Sequence, residues 1–129
     1  MNGMKGNVIA IIVAAAIIGG AFYFATRSPE VASTDNVTAE NGKQIVEITA
    51  KGHYSPTLTA AKANMPTIVR METSGTFDCT SIVRIPSIGY QHNLPPTGTT
   101  DIELPPQQAG AEVKGVCAMG MYNFAIRFE

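Results

Sequence analysis

The sequence predicts an all-β Greek-key sandwich behind a single N-terminal transmembrane helix. Three observations predict it. Val8 to Ala25, "VIAIIVAAAIIGGAFYFA", runs 18 residues without a charge. From Lys43 onward the chain is a series of short β-branched runs with period-two alternation. Prolines and glycines separate those runs, and no stretch of ten residues in this part carries a helical period.

The apolar run comes first. At 1.5 Å per residue an 18-residue helix spans about 27 Å, close to the hydrocarbon thickness of a bilayer. Phe22, Tyr23 and Phe24 close it where an interfacial aromatic belt would lie. A cleaved signal peptide is the competing reading, but "FYFATRS" puts bulky residues where small ones are needed. A buried core helix fits poorly, because the run is apolar on every side. Lys5 and Arg27 flank the two ends and decide orientation only weakly.

Ser28 to Gly42, "SPEVASTDNVTAENG", is small, polar and without apolar period, and reads as a flexible tether about 20 Å from end to end. The expected organisation is a flank at 1–7, an anchor at 8–25, a tether at 26–42 and a folded domain at 43–129. Within that domain "QIVEITA", "TIVRMET", "TSIVRI", "TDIEL", "AEVKGV" and "FAIRFE" are the expected strands. Residues 43–129 carry seven Lys or Arg (43, 51, 62, 70, 84, 114, 127) and seven Asp or Glu (47, 72, 78, 101, 103, 112, 129). A formally neutral domain without a basic patch is not expected to bind nucleic acid.

The chemistry is concentrated in sulfur. The chain has two cysteines and six methionines, and three of these eight residues alternate in "GVCAMGMYNF": Cys117, Met119 and Met121. Cys79 is the other cysteine. Met119 and Met121 either continue a strand with one buried face or curl around a loop that Gly120 permits. Two thiolates and two thioethers form a soft donor set, which selects copper(I) over zinc, magnesium or calcium. A structural Cys79–Cys117 disulfide is the alternative, with the methionines filling core gaps. Met65 and Met71 lie in or beside a strand and read as core. His53 and His92 fall in polar loops and are at most auxiliary ligands.

Several motifs together resemble the cupredoxin-like copper(I)-binding domains of bacteria. They are Gly-x-Tyr-x-Pro at 52–56, Cys79, Leu-Pro at 94–95, Leu-Pro-Pro at 104–106 and Cys-x-Met-x-Met at 117–121. Such domains occur as single-anchor membrane chaperones and at the N-termini of copper-exporting P-type ATPases. The resemblance spans about residues 44–129. It implies a cupredoxin-like fold with Cys79, Cys117, Met119 and Met121 holding one or two copper(I) ions. The chain departs from the family at Val113 and Val116, where an aromatic is expected, and at Asn64-Met65 and Asn123-Phe124.

A blue-copper electron-transfer site needs two histidines and a cysteine. No histidine follows Cys117, and Cys79 stands where the first would be. The expected role is therefore a membrane-tethered, non-catalytic copper(I) carrier that buffers the ion or passes it to an exporting ATPase. An exported sandwich with a disulfide and an electron-transfer cupredoxin are the alternatives. No nucleophile elbow, paired-acid motif or phosphate loop is present. Copper(I) and thiols are both easier to keep reduced on the cytoplasmic face, which is the expected location of the domain.

Overall fold

A computed structural model describes residues 2–26 and 31–129 of the chain. Arg27 and tether residues 27–30 lie outside the described residues. Two compact units divide the chain, at residues 1–30 and Val31–Glu129.

In the first unit, α1 runs from Asn2 to Thr26. It starts before Val8, so residues 2–7 of the expected flank are helical. Among the described residues this is the one helix long and apolar enough to cross a membrane, over Gly3–Tyr23. None of its described side chains is buried.

The second unit is built from strands β1 (Val37–Glu40), β2 (Lys43–Ala50), β3 (Tyr54–Ser55), β4 (Leu58–Ala61) and β5 (Thr67–Thr73). They are followed by β6 (Ile82–Ile85), β7 (Tyr90–Asn93), β8 (Gly98–Leu104), β9 (Glu112–Cys117) and β10 (Asn123–Phe128). Short 3₁₀ turns at Cys79–Ser81 and Pro86–Ile88 flank β6. One sheet has the order β1-β2-β5-β8, with β3 also on β2; the other has the order β4-β10-β9-β6-β7. Both are mixed, because β2 runs parallel to β5 and β4 parallel to β10.

The expected tether at 26–42 requires correction. Its residues 37–40 form β1, paired antiparallel with β2 from Val37 opposite Val46 to Glu40 opposite Lys43. Asn41 and Gly42 turn the chain with φ of +52° and +78°. An Asn-Gly pair with both φ positive makes the two-residue turn whose twist suits a hairpin. Ser33 bridges Thr59, and backbone bonds join Ser33 N–H to Leu58 and Ala60 N–H to Ser33. The main chain of this polar segment is thus satisfied by the sheets and not by water alone.

The six expected strands are all present, and their alternation sorts inward from outward residues. In β10, Phe124, Ile126 and Phe128 are buried and Arg127 is exposed. One core gathers Val46, Ile48, Val69 and Met71 from one sheet with Val83, Val113, Cys117 and Phe124 from the other. Gln44 is buried in β2 and fully engaged: Nε2 donates to the Lys62 carbonyl and to Thr67 Oγ1, and Oε1 accepts from Lys62 N–H. A buried amide costs stability unless its donors and acceptor are paired in this way.

Gly115 lies opposite Phe124 in the β9–β10 ladder, and the ring lies over the glycine. A Cβ there would sit 2.2 Å from Phe124 Cζ. Tyr54 packs edge-on to the other side of the packing cluster, its ring centroid 5.1 Å from that of Phe124 at 75°. Phe124 is fully buried, so its ring yields only by displacing packed neighbours. Gly115→Ala is expected to lower stability by roughly 1–3 kcal/mol, as overpacking does. Urea unfolding followed by circular dichroism measures it.

Candidate metal centre

The site forms where β6 pairs with β9. Val83 lies opposite Cys117 and Arg84 opposite Val116. This register brings the 3₁₀ turn that begins with Cys79, immediately before β6, beside the C-terminal end of β9. Cys79 and Cys117 are 38 positions apart in sequence, yet their Cα atoms are 5.8 Å apart and their sulfurs are joined as a disulfide. Of the two readings of the cysteine pair, this is the oxidised one, and both readings need the same juxtaposition.

Asp78 holds the Cys79 turn in place. It caps the turn, its Oδ1 accepting from the Thr80 N–H at 2.8 Å and from the Thr80 hydroxyl. Its Oδ2 accepts from the Gly52 N–H at 2.8 Å. The Thr80 side-chain hydrogen bond, then the backbone donors of Thr80 and Gly52, hold the Asp78 carboxyl below the usual carboxylate range. From beneath, the buried Tyr54 hydroxyl reaches the carbonyl oxygens of Thr80 and Ile82, each at 3.4 Å. Burial, with the Asp78 charge adding to it, pushes the Tyr54 hydroxyl above its ordinary pKa, so it remains a donor.

The Gly-x-Tyr-x-Pro motif thereby acquires a physical meaning. Gly52 takes φ +70°, the left-handed region that suits glycine, and presents its N–H to Asp78. Tyr54, two residues on, supports the middle of the Cys79 turn and the residue that follows it. Sequence reasoning missed Asp78. The available signal was an Asp immediately before a Cys-Thr-Ser turn, a residue type suited to capping.

Cys117 ends β9 and is fully buried. Its N–H donates to the Tyr122 carbonyl at 3.0 Å, and its Sγ accepts from the Tyr122 N–H at 3.5 Å. Residues 118–122 form the hairpin loop between β9 and β10. Gly120 takes φ +69° there, and its N–H donates to the Cys117 carbonyl at 3.0 Å. This decides between the two readings of the Cys-x-Met-x-Met spacing: it is a loop. Met119 and Met121 are 78% and 66% exposed, so neither fills the core. Phe77, two residues before Cys79, is 82% exposed. Met71 is buried in the core, as expected, and Met65 is half-buried just before β5.

The histidines stand apart from the cysteine pair. His92 is exposed on β7, opposite Val83, so one strand separates it from Cys117. Two inter-strand steps put about 10 Å between those backbones. His53 is exposed in the bend before β3, and its carbonyl accepts from Lys51 N–H. Among the described residues no group of three or more His, Cys, Asp or Glu side chains could hold a metal. The auxiliary-ligand expectation for His53 and His92 therefore finds no support in the geometry. The soft side chains nearest the cysteine pair in sequence are the exposed thioethers of Met119 and Met121.

No family model and no curated protein sequence matches the chain. Solved structures do. One is the metal-binding domain of the Cu(I)-exporting P-type ATPase CopA from Streptococcus pneumoniae D39, determined with Cu(I). It is 18% identical with a TM-score of 0.67, over 77% of this chain and 98% of that one. Another is a copper binding protein determined by NMR in the apo form, 25% identical with a TM-score of 0.67, over 77% of this chain and 100% of that one. The fold is therefore that of known copper-binding domains.

Asp78→Ala is expected to destabilise the domain by about 1 kcal/mol at neutral pH, the usual cost of a lost cap. Because the folded carboxyl has the lower pKa, its contribution is complete above the unfolded value near 4. It disappears as pH falls through the folded value. Urea unfolding at neutral and acid pH should show a smaller acid loss in Asp78→Ala than in the parent.

Proposed function

We propose that this chain is a membrane-tethered, non-catalytic copper(I)-binding protein with a cupredoxin-like Greek-key domain. Cys79, Cys117, Met119 and Met121 hold one or two copper(I) ions as cargo, to be buffered or passed to a copper-exporting P-type ATPase. The observation that carries this reading is the meeting of two cysteine sulfurs beside a loop that exposes two thioethers. The two solved structures support it, since one binding domain belongs to a Cu(I) exporter and the other to a copper binding protein. In the reduced protein the cysteines supply the anionic, strongly bound ligands, and the exposed thioethers leave the ion open to a partner's sulfur. The apolar α1 is the anchor, and it raises the local concentration near a membrane partner. The domain faces the cytoplasm, where thiols stay reduced.

The disulfide favours a second reading, an exported sandwich in which the two cysteines are structural. Thiol titration of the freshly isolated full chain separates the two. Two free thiols, lost on copper(I) loading, support the carrier. No free thiol and no metal support the exported sandwich. In the reduced full chain, Cys79→Ser or Cys117→Ser should abolish tight copper(I) binding in competition with a chromophoric chelator. Met119→Leu or Met121→Leu, close to volume-conserving, should weaken it and leave unfolding unchanged. A double Met variant that binds as tightly as the parent would remove the thioethers from the site. Protease added to intact spheroplasts tests the location: a domain cut from sealed membranes is outside.

A further inference from the structure

The two sulfurs of the disulfide are not equivalent. Cys117 is fully buried in the core at the end of β9, whereas Cys79 is only half-buried on the surface turn after exposed Phe77 and Asp78. Thiol–disulfide exchange needs a thiolate to reach one sulfur while the other departs. Access therefore selects Cys79 as the sulfur attacked. The departing sulfur gains negative charge, and the fold sets a backbone donor on Cys117, the Tyr122 N–H at 3.5 Å. A donor aimed at the leaving sulfur stabilises that charge. This donor offsets part of the cost of a buried thiolate, and access decides which sulfur is attacked.

We propose that Cys79 is a thiol–disulfide exchange site for a small-molecule thiol, and that Cys117 is the sulfur released. In the first step the thiolate of the small molecule forms a bond to Cys79 Sγ. The Cys79–Cys117 bond breaks, and its electron pair leaves on Cys117 as thiolate. In the second step another thiolate attacks the small-molecule sulfur of the mixed disulfide. This releases Cys79 as thiolate and the oxidised small-molecule disulfide. Two thiols are oxidised, the protein disulfide is reduced, and two electrons are transferred. The consequence goes beyond copper carriage: exchange at Cys79 switches the pair between a closed disulfide and the two thiolates that a copper(I) ion would need.

The labelling test needs no metal, so its outcome is separate from that of the copper titration. The full chain in detergent is oxidised until no free thiol remains, exposed briefly to reduced glutathione, quenched in acid and digested for mass spectrometry. Glutathione is expected on the Cys79 peptide in at least about tenfold excess over the Cys117 peptide, with Cys117 recovered as free thiol. Equal labelling, or a majority on Cys117, would overturn the proposal. So would a chain whose two cysteines fail to join under oxidation. As a second readout, the oxidised chain should bind copper(I) only after glutathione treatment; equal affinity before and after would refute the switch.

Discussion

Two residue pairs, Val83 with Cys117 and Arg84 with Val116, join β6 to β9, and the sulfur end of the molecule depends on them. A shift of one residue in this register would turn Cys117 from the inner face to the outer one, because side chains alternate along a strand. The Cys79 turn would then face a different side chain. The register is held by burial. Val83, Ile85, Val113 and Cys117 all point into the shared core, and displacing them would expose apolar surface.

Around that constraint the fold adds rigidity on one side and exposure on the other. Beneath Cys79, Asp78, Thr80, Gly52 and Tyr54 form a connected set of hydrogen bonds. Beside Cys117, the β9–β10 hairpin is closed by the Cys117 N–H donating to the Tyr122 carbonyl and the Tyr122 N–H donating to Cys117 Sγ. The hairpin tip itself carries Met119 and Met121 into solvent. Exposed thioethers are unusual for residues that ordinarily fill core gaps. Their exposure contributes nothing to packing, and it leaves both sulfurs open to solvent beside the cysteine pair.

The proposed transfer role would draw on this division. Rigid backbone at the thiols limits the reorganisation required to gather ligands, and an accessible loop allows one ligand to be replaced by another. Among the described residues no group of three or more His, Cys, Asp or Glu side chains gathers near the cysteine pair. The sulfur pair proposed for copper(I) is joined here as a disulfide. In the proposed role its redox state and its capacity for metal would be two descriptions of one pair of atoms.

The sequence alone determined the β character of the domain and its six principal strands, because period-two alternation is a local property of the pleat. It also determined the apolar helix and the soft character of the donors. It left β1 inside the tether: "VTAE" has little apolar signal, and its strand identity comes from hydrogen bonds to β2 after the Asn41–Gly42 turn. The short β3, β4 and β7 escaped for a similar reason, being defined by partners more than by composition. Only tertiary structure brought Cys79 to Cys117, since strand pairing across 38 positions is chosen by burial of whole sheet faces. Only it showed that Met119 and Met121 leave the strand, because alternation continues unchanged through a turn when a glycine such as Gly120 takes the left-handed conformation.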